Sequence, residues 1–180
     1  MLLDDALRPQ SARAIEADYP QIRKPGSFAL ADVEIGPALR QLIAELDSDA
    51  FRAVLAQKFD VDLDGRPTTF TLRGACAAKD GQIHTDSKSK VLTILVYLNA
   101  GWAADGGRLR LLRSGRDLDD FAAEIEPIFG RMLVFRRSER SWHGHRPYEG
   151  PRRVLQMNYV TSAKASLMSD LRHRLSALVK

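Results

Sequence analysis

Apolar residues in the first third of the chain recur every three to four positions; from Thr68 onward they alternate or run continuously. The first pattern belongs to helices with one buried face, the second to strands. Pro9 to Tyr19 is predicted as a short helix with Ala12, Ile15 and Tyr19 on one face, and Pro20, Pro25 and Gly26 keep it from continuing. Gly36-Pro37 opens a second helix, because proline suits a first helical turn, and Leu39, Leu42, Ile43 and Leu46 form its stripe. Ser48 or Asp49 caps a third, on which Phe51, Val54, Leu55 and Phe59 face inward. Thr68–Ala75, Val91–Leu98, Arg108–Leu112, Met132–Arg136 and Arg153–Thr161 are predicted strands, punctuated at Asp80-Gly81, Asp105-Gly106-Gly107 and Gly130. Between them, Arg116 to Ile125 reads as a short helix or an irregular excursion. Ser162 caps a last helix with Leu167, Leu171, Leu175 and Leu178 on one side.

Helices, then consecutive antiparallel strands, then a helix indicate an α+β domain. The natural candidate is a double-stranded β-helix, a cupin-like jelly roll, with the N-terminal helices and the C-terminal helix packed on its larger sheet. The expected organisation is one domain over residues 1–180: a helical layer at 1–60, a jelly-roll core at 66–162 and a C-terminal helix at 163–180.

Composition narrows the class. With 44% hydrophobic and 28% charged residues the chain is an ordinary globular one. No apolar run reaches the ~20 residues of a membrane span, and the acidic start MLLDDALRPQ does not resemble a signal peptide, so a cytoplasmic protein without a membrane partner is expected. Cys76 is the only cysteine, which excludes an internal disulfide and reads as a small core residue. The net charge of +4 raises nucleic acid as a partner, but Arg136–Arg137 and Arg152–Arg153 are only local pairs. A mildly basic surface explains the charge best, and an anionic substrate is the next explanation. Asp60-Val61-Asp62-Leu63-Asp64-Gly65 opens like a calcium loop, yet Thr71 stands where the loop needs glutamate, so a helix exit and an Asp-Gly turn is expected.

The candidate chemistry lies around the strand Val91–Leu98. His84 and Asp86 are one residue apart, so on an extended backbone both project to one face and can share a divalent metal. The third ligand is best supplied by Ser141-Trp142-His143-Gly144-His145, and two histidines with one carboxylate is the facial set of non-haem ferrous oxygenases. On the apolar strand, Tyr97 shares a face with Val91, Thr93 and Leu95, and its hydroxyl needs a partner if buried. On the last strand Arg152, Val154, Gln156 and Asn158 alternate with Arg153, Leu155, Met157 and Tyr159. The second set suits packing on helices. The first turns Arg152 inward, where its planar fork suits a carboxylate, whether a ligand's or one of the chain's own.

Taken in order, His84-x-Asp86, Tyr97-Leu98-Asn99, Gly106-Gly107-x-Leu109, His143 and Arg152 resemble the ferrous, 2-oxoglutarate-dependent dioxygenases, in particular their prolyl-hydroxylase-like branch. The resemblance covers roughly Gly81 to Tyr159 and includes the nine-residue step from His143 to Arg152, which selects His143 over His145 and Arg152 over Arg153. It implies that His84, Asp86 and His143 bind Fe(II), that Arg152 and Tyr97 hold the distal carboxylate of 2-oxoglutarate, and that Leu109 lines the cosubstrate pocket. It also implies O2 as co-reactant, ascorbate as a supporting reductant, and hydroxylation of a small-molecule, sugar or protein C–H bond. Val154 stands where the branch often has a small hydroxyl residue. Arg73, Lys79, Lys88, Trp102 and Trp142 are candidates to border a substrate site. Two rival readings are a metal-binding jelly roll without oxygenase activity and an oxygenase that dealkylates nucleic acid; no second arginine array or base-stacking lid supports the latter.

Overall fold

The structure is a computed structural model, which describes residues 1–168. Leu171, Leu175 and Leu178 of the expected last helix lie outside those residues. Within them residues 163–168 are helical, with the Ser162 hydroxyl accepting from the Ala165 N–H at 3.2 Å, and Leu167 is exposed rather than packed inward.

Three helices precede the sheets: α1 (Ala12–Asp18, entered through a 3-10 turn), α2 (Pro37–Leu46) and α3 (Asp49–Phe59). All four predicted stripe residues of α2 are buried. Ser48 caps α3, its hydroxyl accepting from the Phe51 N–H at 3.2 Å. The α3 stripe is narrower than predicted: Leu55 is fully buried, but Val54, one position back and turned about 100° away, is 59% exposed. Asp60 then leaves the helix at φ 48° and Gly65 makes the turn into the sheet at φ 58°.

The larger sheet has six strands. They are β1 (Leu2–Leu3), β2 (Phe28–Ala29), β3 (Thr68–Cys76), β4 (Lys90–Tyr97), β7 (Met132–Arg136) and β9 (Gly150–Val160), in the order β1-β7-β4-β9-β3-β2. The smaller sheet runs β6-β5-β8, with β5 at Leu109–Leu112, β6 at Phe121–Ile125 and β8 at His143–Gly144. Every strand pairing in both sheets is antiparallel, as a jelly roll requires. Of the stretch expected as a helix or irregular excursion, residues 116–120 are irregular and Phe121–Ile125 form β6. Its period is two: Ile125 is buried, while Glu124 on the opposite side pairs with Arg110. Strands β1, β2 and β8 are only two residues long, too short for any periodicity to signal.

Two cores arise from the alternation of β4 and β9. Leu92, Ile94, Val96, Leu155, Met157 and Tyr159 face the helices and join Leu39, Leu46 and Leu55. Leu95, Tyr97 and Val154 face the other way, with Leu109, Ile125 and Leu133. A bulge between Lys90 and Leu92 breaks the alternation, so Val91 packs with the helix-side core instead of sharing the face of Tyr97. The same bulge turns Lys90 toward the space between the sheets. No helix among the described residues is long and apolar enough to cross a membrane.

Candidate metal centre

One cavity of about 380 Å³ opens between the two sheets, and His84, Asp86 and His143 all line it. One ligand atom from each lies within 4.8 Å of the others, close enough for a single divalent ion to reach all three after small rotations. The backbone forces this convergence. His84 and His143 form an isolated antiparallel bridge, exchanging N–H···O bonds of 3.0 and 2.9 Å, which ties the loop after β3 to strand β8 of the smaller sheet. Their rings then stand 4.3 Å apart.

Each histidine also has its tautomer fixed. His84 Nδ1 lies 2.8 Å from the Gln82 carbonyl oxygen and His143 Nδ1 lies 2.9 Å from that of Ser141. A carbonyl only accepts, so Nδ1 carries the proton in both rings and Nε2 is left as a lone-pair donor. Burial, with His84 alongside, holds the His143 pKa below its usual value, so the ring is neutral. Asp86 accepts from Lys90 Nζ at 2.7 Å on Oδ1 and from the Thr93 hydroxyl on Oδ2. Burial alone raises its pKa, but the Lys90 charge and the hydrogen bonds from Lys90 and Thr93 outweigh that and hold it below the usual carboxylate range. A neutral His143 and an ionised Asp86 are protonation states that metal binding requires. The Thr93 oxygen also lies 3.2 Å from Asn158 Oδ1, and Asn158 donates to Thr69 at 3.1 Å.

A second polar group lies at the other end of the cavity. Arg152 is 6% exposed, and its Nε donates to the Gly107 carbonyl at 2.9 Å. Among the described residues no carboxylate forms an ion pair with it. Its guanidinium sits 5.6 Å from the centre of the Tyr97 ring, and the Tyr97 hydroxyl, fully buried, has no hydrogen-bond acceptor among the described residues. Burial pushes the Tyr97 pKa up, so the phenol keeps its proton as a donor. A buried cation without a counter-ion beside a buried hydroxyl without an acceptor fits a carboxylate.

The neighbouring motifs acquire physical reasons. The Gly107 carbonyl orients Arg152, and a Cβ at Gly106 would stand 2.1 Å from the Pro147 carbonyl oxygen, one at Gly107 2.6 Å from the Trp102 ring. Asn99 clips the end of β4 to β9, accepting from the Arg153 N–H at 2.7 Å. Trp102 therefore packs behind the glycine pair, against Tyr148 at 4.6 Å, and does not line the cavity. Trp142 does not line it either; its ring packs over Gly115. Leu109 and Arg73 do line it. Of the rivals, His145 reaches the cavity but falls outside the three-ligand group, and burial beside Arg152 lowers its pKa to about 4. Arg153 points outward to Glu16 at 3.1 Å. Lys90 and Thr93 escaped the sequence reading. A lysine opening an apolar strand, and the one threonine inside it, were the available signals.

The chain matches the family model described as "2OG-Fe(II) oxygenase superfamily" over residues 74–160. It is 32% identical over 107 residues to prolyl hydroxylase EGLN3 of Mus musculus, covering 54% of this chain and 44% of that protein. The human EGLN3 prolyl hydroxylase matches at 33% over 81 residues, 42% of this chain and 33% of that one. The chain thus spans less than half the length of these curated relatives. Among solved structures, a Pseudomonas putida prolyl-4-hydroxylase superposes with a TM-score of 0.63 at 20% identity, covering 89% of this chain and 92% of the other. HygX from Streptomyces hygroscopicus, with nickel and 2-oxoglutarate bound, superposes at 0.57 and 12% identity, covering 91% and 82%. These likenesses carry the jelly-roll fold.

Proposed function

We propose that the chain, which matches the 2OG-Fe(II) oxygenase superfamily model over residues 74–160, is a 2-oxoglutarate-dependent hydroxylase. Substrate C–H, 2-oxoglutarate and O2 give C–OH, succinate and CO2. The observation that carries this reading is the pairing, in one cavity, of a His-Asp-His group with a buried arginine that has no acidic partner among the described residues.

His84, Asp86 and His143 would hold Fe(II) through Nε2, a carboxylate oxygen and Nε2. Iron supplies the activation of O2. Everything else falls to the chain. Arg152 pairs with the distal carboxylate of 2-oxoglutarate and Tyr97 donates to it, which gives both buried groups partners. Leu95, Leu109 and Val154 form apolar walls for the methylene groups between that carboxylate and the metal. Phe135, 5.0 Å from the His143 ring, helps to keep water from the ligand side. Lys90 and Thr93 hold the Asp86 carboxylate in a fixed plane.

The test is anaerobic titration of 2-oxoglutarate into the Fe(II)-loaded protein, monitored by the visible charge-transfer band of the chelate. The band is expected in the parent, absent in Asp86→Ala, and shifted to about 100-fold higher 2-oxoglutarate in Arg152→Ala, as loss of a bidentate charged pair predicts. Metal binding without a band would leave a metal-binding jelly roll.

A further inference from the structure

The inner face of the larger sheet changes character from one edge to the other. Register aligns Leu133, Leu95, Gln156 and Thr71 in one row, and Phe135, Thr93, Asn158 and Thr69 in the next. A third row runs Tyr97, Val154 and Arg73. Each row places a polar side chain on β3, and the row through Thr71 runs on to Ala29 of β2. Thr71 and Arg73 line the cavity, joined by Ser27 just before β2 and by Gln156 on β9. Val154, next to Arg73 on β9, is apolar, but Ser27, Thr71, Arg73 and Gln156 make this flank predominantly polar, whereas Leu95 lies one strand farther away, on β4.

Arg73 has donors to spare. Its Nη1 binds Asp80 at 2.8 Å, with a weak contact to Cys76 Sγ at 3.5 Å, and Nη2 makes one contact, to Ser27 Oγ at 3.4 Å. A guanidinium carries five N–H donors, so part of this one's capacity is unused. Charge points the same way. Arg73, Lys90 and Arg152 line the cavity against Asp86 alone, and Asp80 stands behind Arg73. Fe(II) and the 2-oxoglutarate dianion cancel each other, so a positive excess remains. A low-dielectric cavity with that excess favours a further anion. An uncharged prolyl ring would leave the Ser27, Thr71 and Arg73 donors facing C–H groups, at a desolvation cost.

We propose that Ser27, Thr71 and Arg73 form a carboxylate-binding subsite for the molecule that is hydroxylated, so that the substrate is an acid. The carboxylate belongs either to a free small acid or to an aspartate or glutamate side chain of a peptide. This rests on the hydroxylase reading above. Ser27, Thr71 and Arg73 all lie outside the stretch matched by the family model.

The experiment uses the anaerobic Fe(II)–2-oxoglutarate protein and its charge-transfer band. Two probe sets are titrated: amino acids and 2-hydroxy acids against their amides, and capped tripeptides centred on Asp or Glu against those centred on Asn or Gln. The expected result is saturable perturbation of the band by members of one acid set, at concentrations about tenfold or more below those of the matched amides. The responding set identifies the source of the carboxylate. Arg73→Met should abolish that preference, and Thr71→Val, which leaves the Arg73–Asp80 pair intact, should weaken acid binding several-fold. Neither should move the 2-oxoglutarate titration itself. Acids and amides acting alike, or no probe acting at all, would overturn the subsite, as would an Arg73→Met protein whose lost affinity is for 2-oxoglutarate. Failure of the parent to form the band at all would remove the hydroxylase reading first, a separate result.

Discussion

Strands β4 and β9 each present two faces, and the two could hardly be used more differently. Outward, Leu92, Ile94, Leu155 and Met157 are fully buried against the helices, and shape and volume are all that is asked of them. Inward, the same strands offer Thr93, Tyr97, Arg152, Gln156 and Asn158. Some of those groups satisfy one another, as Thr93, Asn158 and Thr69 do, but Arg152 and Tyr97 keep capacity for a ligand. The helix side stabilises the fold; the cavity side gives up some stability for binding.

That contrast can be broken by substitution. The largest effect on folding is expected on the helix side. Leu155→Ala should cost about 2–5 kcal/mol in urea denaturation, while the protein that remains folded binds metal normally. A loss well under about 1 kcal/mol would mean that the face is not packed as described. On the cavity side, Lys90→Met or Thr93→Val should weaken Mn(II) or Fe(II) binding by about 10- to 100-fold in equilibrium dialysis, because the Asp86 carboxylate loses an orienting donor. Unchanged affinity would make both residues mere neighbours. The smallest and sharpest effect is Tyr97→Phe. Removing a buried hydroxyl without an acceptor should leave the protein without ligands as stable or slightly more so, yet weaken 2-oxoglutarate by up to about tenfold. A Tyr97→Phe protein that loses stability and keeps full cosubstrate affinity would reverse the assignment of that hydroxyl.

Much was legible beforehand where periodicity was long enough to read. The eleven-residue β9 alternates Arg152, Val154, Gln156, Asn158 against Leu155, Met157, Tyr159, and the structure divides them into cavity and helix faces as the alternation says. The ten-residue α2 likewise buries its four stripe residues. Prediction failed where a local irregularity or a short element intervened. The bulge at Lys90–Leu92 moved Val91 to the helix side, and Phe121–Ile125 became a strand because pairing with β5 outweighs its alanines' helical preference. Trp102 and Trp142 looked like substrate-border residues from composition, but both are packing groups.

By itself the sequence determined which residue types could do chemistry and on which side of a strand they sit, since spacing and alternation are properties of the backbone. It also carried the ordered motifs by which the chain resembles the 2OG-Fe(II) oxygenase superfamily. Tertiary structure alone decided what those residues meet. His84 and His143 are 59 positions apart, and a backbone bridge brings them together. Whether Arg152 had an acid partner, whether Lys90 reached Asp86, and whether the β3 edge of the cavity was polar all depend on long-range pairing of strands. No local pattern encodes that pairing, because its energy comes from contacts between distant segments.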